Sequence, residues 1–355
     1  MGKWNEPIDL GTFNCRNRVI RSATHSFLGS VDGHMTEAEY AMYDQLAASD
    51  IGLIITGHCC VSPQGRANEE QINVFDDTCI EDLRQAAAVV QAHDSRFVVQ
   101  LSHAGPRAID VDEFCDVVAR PLKKHHSARA LTAAEIQQIE RDFVAAARRV
   151  QAAGADGVQL HAAHSYLLSR FLDPFFNQRQ DAYGGDVAGR FRIVAEIVQG
   201  IRAACGPEFP VLVKINSDTK ADNVAYEADL LYMLHECQRL GVTLVELSGV
   251  DFINQPHGAS LYYLERAARL RREAGIPLSL VGGVRTLADI EKVLAAGLDM
   301  VSLGRPLVCE PDLLLRLQHG QPKSNCISCN RCFVIAHLHP GMRCIRQRQL
   351  RRAEK

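Results

Sequence analysis

The sequence holds one tryptophan in 355 residues, and Phe, Trp and Tyr together make up 6% of it. So thin an aromatic complement argues against a site that cages an organic cation between aromatic faces. No apolar run approaches the roughly 18 residues of a membrane span. The polar start Met1-Gly-Lys-Trp-Asn-Glu-Pro lacks the apolar centre of a signal peptide, and Glu6 stands where a myristoylation signal wants Ser or Thr. A cytoplasmic protein is the expectation. The net charge of −3 leaves no surplus of either sign, so neither nucleic acid nor membrane is an expected partner. No internal repeat or low-complexity run stands out. There is also no G-x-G-x-x-G turn, which an open doubly wound dinucleotide sheet would need.

What is present is a regular alternation. Apolar, β-rich runs at 18–23, 51–57, 96–102, 156–162, 210–216, 243–249, 277–283 and 299–304 read as strands. Amphipathic stretches near 36–49, 78–94, 132–153, 189–204, 225–240, 260–274, 286–296 and 310–318 read as helices. Thr132-Ala-Ala-Glu135 is a capping box, and glycines 154, 206, 241, 275 and 297 sit where helices end. Eight β/α alternations with near-continuously apolar strands predict an α/β fold, a TIM (β/α)8 barrel over residues 1–320. A short Cys-rich extension, residues 321–355, follows it. The segment from His103 to Leu131 is too long for a connector and is read as covering substrate.

The densest chemistry lies in His161-Ala-Ala-His164-Ser-Tyr166, straight after the strand 156–162. Two imidazoles and a phenol at one strand end are costly in a core unless chemistry uses them. The active site of such a barrel lies at the C-terminal strand ends. Those ends carry Ala23-Thr24-His25, Gly57-His58-Cys59, Gln100 with His103, His161, Lys214, Gly282-Gly283 and Gly304-Arg305. Glycines on the last two strands let backbone N–H groups approach a phosphate, and Arg305 can fork onto its oxygens; tight turns are the alternative. Gln100 offers a donor and an acceptor to an amide-like ring edge. Lys214 offers positive charge where a reduced ring becomes anionic, or else an internal salt bridge. The HxxH pair also admits a metal site, although no third ligand stands beside it.

These motifs, with Asn17-Arg18-Val-Ile, Ser62-Pro-Gln-Gly-Arg66, Gln100-Leu-Ser-His103-Ala-Gly105, Asn177-x-Arg179-x-Asp181-x-Tyr183-Gly-Gly and Val281-Gly-Gly-Val-Arg285, resemble the old yellow enzyme family of FMN-dependent oxidoreductases. The likeness is greatest to the iron–sulfur branch that includes 2,4-dienoyl-CoA reductase and trimethylamine dehydrogenase. By this resemblance Ala23, Thr24, His25, Gly57, Gln100 and Lys214 lie about the flavin. Gly282, Gly283, Gly304 and Arg305 take its phosphate. His161 and His164 bind a substrate oxygen, and Tyr166 donates a proton. The implied reaction reduces the C=C bond of an α,β-unsaturated carbonyl or enoyl thioester, with NAD(P)H as reductant. Amine dehydrogenation and pure electron transfer are the competing readings. The implied FMN is non-covalent, because His25 (or Thr24) stands at the position where relatives often have Thr or Cys, near flavin O4. Ser165 replaces a common Gly, and Ala188-Gly189-Arg190 a common Glu-Asn-Arg. A homo-oligomer is expected.

Twelve cysteines are many for this chain. Eight are scattered and read mostly as small buried hydrophobes. Cys326, Cys329 and Cys332, with Cys344 further on, have the spacing of an iron–sulfur ligand set, a four-cysteine zinc site being the rival. The resemblance favours a [4Fe–4S] cluster. His337 and His339 read as loop residues, and the basic stretch from Arg346 to Lys355 as a solvated helix. In fused relatives FAD- and NAD-binding domains follow, so either a separate electron-donor protein or a longer chain is expected.

Overall fold

The computed structural model describes residues 2–122, 126–336 and 338–347. Eight strands close into a barrel in which every neighbouring pair is parallel: β1 Val19–Arg21, β2 Leu53–Cys60, β3 Arg96–Ser102, β4 Gly157–Ala162, β5 Val211–Asn216, β6 Leu244–Ser248, β7 Leu278–Val281 and β8 Met300–Leu303. The TIM barrel expected from the alternation is the fold. Helices follow the strands in turn, at Glu37–Ala47 (α1), Cys79–Gln91 (α2), Ala133–Ala152 (α3), Val187–Cys205 (α4), Asn223–Arg239 (α5), Leu264–Ala274 (α6), Leu287–Ala295 (α7) and Leu313–Gln318 (α8). Both halves of the Thr132/Glu135 capping box are made at the start of α3. Helix α6 starts later than its apolar pattern suggests, because Leu261 adopts a left-handed backbone (φ 52°) that breaks the helix before it. Among the described residues no helix is long and apolar enough to cross a membrane.

Alternation along each strand sorts side chains into two buried sets. Val19, Ile54, Phe97, Val99, Val213, Val245 and Val301 pack outward with the helices. Their neighbours Ile20, Leu53, Ile55, Val98, Leu212, Leu244 and Met300 fill the barrel's lower interior with Ile8, Phe13 and Cys15. The last three belong to an N-terminal hairpin, Ile8–Asp9 with Asn14–Cys15, that plugs the bottom. Two residues further up the strands, the inward row becomes Gln100, Lys214 and Glu246, all buried. The apolar plug therefore ends where a polar floor begins.

The 103–131 segment carries a small three-stranded sheet, Phe114–Asp116, Ser127–Ala130 and Arg120–Pro121. It is tied down by buried Asp116, which accepts from Arg170 Nε at 2.7 Å. Arg179 Nη1 donates to Val117 O at 2.7 Å and Leu131 O at 2.8 Å. The Asn177–Tyr183 motif thus serves as a clamp on this excursion. Residues 348–355, most of the basic tail, lie outside the described residues, as does His337.

Candidate active site

A cavity of about 600 Å³ opens over the polar floor, at the C-terminal ends of the strands. Ala23, Thr24, His25, Gln100, His161, His164, Tyr166, Lys214, Gly282, Gly283, Gly304 and Arg305 line it together. Gly57 does not. A bulge shifts the β2–β3 register between Ile55 and His58 and turns Gly57 against β1, where a Cβ would sit 3.0 Å from His25 Cα. The neighbouring His58 takes the place on the cavity wall. Of the described part of the 103–131 segment, Arg107 alone reaches the cavity; Phe252, Ile253, Phe333 and Met342 also line it.

Tyr166 caps the short helix Leu167–Leu172, whose first N–H donates to His103 O at 3.0 Å. Just before it, His164 and Ser165 both have left-handed backbones (φ 60° and 61°). Such strain persists only where the surroundings enforce it. Here Asn216 Oδ1 accepts from His164 N at 3.1 Å, and Ser169 Oγ from Ser165 N at 3.3 Å. Ser165 thus occupies a conformation that glycine adopts more easily. The kink brings the His161 and His164 rings to 5.3 Å and sets Tyr166 4.6 Å from His161. His164 Nε2 bonds Ser248 Oγ at 2.8 Å, while His161 Nδ1 is buried with no hydrogen-bond partner.

His58 stands 5.1 Å from Tyr166, ring to ring, and stacks on His25 at 4.7 Å. Burial holds the pKa values of His58, His161 and His164 well below the ordinary histidine value, helped by neighbouring imidazoles and, for the last two, by Lys214 and Arg107. All three are neutral hydrogen-bonding groups near neutrality. Burial pushes the Tyr166 phenol up to about 12, against the pull of Arg107.

Below them, Lys214 Nζ bonds Ser22 Oγ at 2.9 Å and pairs with Glu246 Oε2 at 3.2 Å. Gln159 links Glu246 to Gln100, through bonds of 3.2 and 2.6 Å. The internal salt bridge weighed for Lys214 is therefore made, and the lysine also faces the cavity. On the opposite wall Gly283 has φ +76°, and a Cβ there would lie 2.7 Å from Leu261 N. At Gly304 the nearest atom to an added Cβ is 3.7 Å away, so the cavity comes down onto bare backbone. Arg305 beside it lies 5.6 Å over the Phe252 ring and bonds Asn330 Oδ1. The open glycine backbone, an adjoining guanidinium and the orphaned His161 Nδ1 fit a phosphate-bearing, ring-containing cofactor.

Residues 4–324 match the NADH:flavin oxidoreductase / NADH oxidase family. The chain belongs to this family. It is 31% identical to an NADPH dehydrogenase of Geobacillus thermodenitrificans, over 83% of this chain and 88% of that one. It is 29% identical to a metal reductase of Desulforamulus reducens, over 92% of this chain but 50% of the relative. Among solved structures a 2-naphthoyl-CoA reductase superposes with TM-score 0.88 at 21% identity, over 96% of this chain and 56% of that one. An old yellow enzyme homologue from Zymomonas mobilis superposes with TM-score 0.80 at 23% identity, over 91% and 94%. The chain thus spans about half the length of some relatives and most of others. The protein is an FMN-dependent oxidoreductase of the old yellow enzyme type.

In this flavin oxidoreductase the four clustered cysteines edge a second, smaller pocket that shares Arg305 with the first. Cys326 is buried and the other three are partly exposed. Buried Cys309 joins them from the end of the helix Arg305–Cys309, and its hydrogen bond draws the Cys344 thiol below the ordinary cysteine value. Among the described residues no three His, Cys, Asp or Glu side chains are gathered to hold a metal ion. Arg285 ties the two pockets. Its guanidinium donates to Cys326 O at 2.9 Å, Gly283 O at 3.2 Å and Ser328 Oγ at 2.6 Å. His339 closes the turn after the helix Arg331–Ala336 through its N–H to Ile335 O at 3.0 Å, as a loop residue would.

Sequence reasoning missed Gln159, Glu246, Phe252 and Phe333. The first two lie within apolar strands, where only inward facing marks them out. The aromatics sit on a loop and on the extension, and nothing local marks them as cavity walls.

Proposed function

We propose that the protein is an ene-reductase that saturates the C=C bond of α,β-unsaturated carbonyl or enoyl-thioester compounds. The observation that carries this is the meeting of His161, His164 and Tyr166 in one cavity opposite Gly283, Gly304 and Arg305. FMN, when bound, supplies the hydride chemistry, with NAD(P)H as the reductant typical of the family. Gly282, Gly283, Gly304 and Arg305 would hold its phosphate, Gln100 and Lys214 its pyrimidine edge, and Ala23, Thr24 and His25 its flank.

The neutral imidazoles of His161 and His164 donate to the substrate's carbonyl oxygen and polarise the alkene. Tyr166 delivers a proton to the α carbon, and its raised pKa keeps that proton in place until charge develops. The kinked backbone at 164–165 aims both imidazoles into the same space. Phe252 and Phe333 add apolar surface to the cavity wall.

The charge of the cavity favours this over amine oxidation. Arg107, Lys214, Lys220, Arg285 and Arg305 line it, and among the described residues the lining holds no carboxylate, a poor setting for an ammonium substrate. The thioester option draws support from the 2-naphthoyl-CoA reductase named above.

We also assign a [4Fe–4S] cluster to Cys326, Cys329, Cys332 and Cys344, held by the extension 321–355. The four thiols line one pocket, and three of them at C-x2-C-x2-C spacing with a fourth further along the chain follow the pattern of an iron–sulfur ligand set. Such a cluster would carry single electrons, so a separate electron-donor protein would serve as a source beside NAD(P)H. Iron and acid-labile sulfide counts on anaerobically purified protein test the cluster; zinc without iron would refute it. For the reaction, reduced enzyme is mixed anaerobically with 2-cyclohexenone or crotonyl-CoA, and oxidised enzyme with trimethylamine. Flavin reoxidation by either alkene is expected. Turnover with the amine alone would overturn the proposal.

A further inference from the structure

Next to Tyr166, a short chain of hydrogen bonds decides which nitrogen of a histidine carries its proton. The Ala67 backbone N–H, which can only donate, reaches Gln71 Oε1 at 2.6 Å. That contact pins the Gln71 amide, so the atom 2.7 Å from His58 Nδ1 is its Nε2 donor. The same nitrogen also meets His58 O and Ser102 Oγ, each at 3.1 Å, which holds the amide in this orientation. His58 Nδ1 is therefore an acceptor. The buried ring is neutral, so its single proton must sit on Nε2. Nε2 lies 3.1 Å from the Tyr166 hydroxyl oxygen and donates to it.

A phenol oxygen that accepts from His58 keeps its own hydrogen for another partner. The opposite tautomer would capture that hydrogen, because a bare Nε2 would accept the Tyr166 O–H. We propose that His58, locked in its Nε2–H form by Gln71, is a positioning residue that leaves the Tyr166 proton directed into the substrate cavity. When Tyr166 gives that proton to the substrate's α carbon, the His58 N–H remains to stabilise the tyrosinate, which solvent reprotonates. The inference rests on Tyr166 being the proton donor, as argued above.

Two measurements test it. In protein labelled with [15N]histidine, two-bond 15N–1H correlations should show His58 with Nε2 protonated and Nδ1 bare, the signal being assigned by its loss in His58→Phe. In Gln71→Met, which removes the lock without touching the ring, the two nitrogens should average towards mixed tautomers. A protonated Nδ1 in the wild type overturns the proposal.

The second measurement is reoxidation of dithionite-reduced enzyme by 2-cyclohexenone. His58→Phe should slow it by about tenfold or more at unchanged flavin content and unchanged enone affinity. His58→Asn, whose amide can donate to the phenol, should recover part of the rate. A His58→Phe rate within twofold of wild type overturns the positioning role when Tyr166→Phe is slow. A Tyr166→Phe rate equal to wild type instead defeats the underlying assignment of the proton donor.

Discussion

Lys214 Nζ lies 3.2 Å from Glu246 Oε2, across the register position where β5 and β6 pair. Both side chains are almost wholly out of water, at 3% and 0% exposure. The pair sets the polar floor of the cavity at a height fixed by strand register. Removing one partner leaves the other charge buried and unbalanced, which costs about 3–5 kcal/mol in such pairs. Glu246→Ala should lower stability by that order, read as a fall in urea midpoint at unchanged slope. A double replacement by Met at both positions should recover much of the loss.

Gly283 is the second place where a single atom decides the site. A Cβ there meets Leu261 N at 2.7 Å in a left-handed backbone, and the conformation alone costs a residue with a side chain about 1–2 kcal/mol. Gly283→Ala should weaken FMN binding by about tenfold or more, since about 1.4 kcal/mol is a factor of ten. Fluorescence titration of the flavin into apoprotein measures this directly.

Asp116 carries the 103–131 excursion. Its buried carboxylate accepts from Arg170 Nε at 2.7 Å and attracts Arg120 Nε at 2.9 Å without hydrogen-bond alignment. Asp116→Asn leaves two guanidiniums without their counter-charge. We expect a loss on the order of 3 kcal/mol and faster cleavage within 103–131 by limited proteolysis, with the rest of the barrel still resistant.

His103 supplies a pH test. Burial lowers its pKa from 6.5 to about 4 in the folded protein. Between those values the unfolded chain binds a proton that the native state refuses, so this group's contribution is complete above 6.5 and is lost as pH falls towards 4. His103→Asn should therefore make stability less steep in pH between 6 and 4.5, by about one proton or about 1.4 kcal/mol per pH unit. Urea melts at three pH values suffice to check it.

The barrel was legible in the chain because β/α alternation, helix caps and apolar strands are local signals, and a closed parallel sheet is the arrangement that buries all eight strands. His161, His164, Tyr166, Gly283 and Arg305 were legible for the same reason, since strand ends in such a barrel converge. His58 and Gly57 show where that reasoning stops. A bulge in β2 exchanges their facing, and a one-residue shift in a strand sends each side chain to the other face. The contribution of the extension to the cavity wall was not legible either. The long 103–131 segment is held by Arg170 and Arg179 and reaches the cavity through Arg107, while Phe252, and Phe333 of the extension, line it as well.

By itself the sequence determined the architecture and the inventory of reactive groups, because periodicity and residue type act over short stretches of chain. Only tertiary structure decided how those groups are wired. The Gln71–His58–Tyr166 chain joins residues 13 and 108 positions apart, and Lys214 finds Ser22 across 192. Hydrogen-bond direction and charge pairing depend on distances of a few ångströms between such remote positions, and those distances exist only once the barrel has closed.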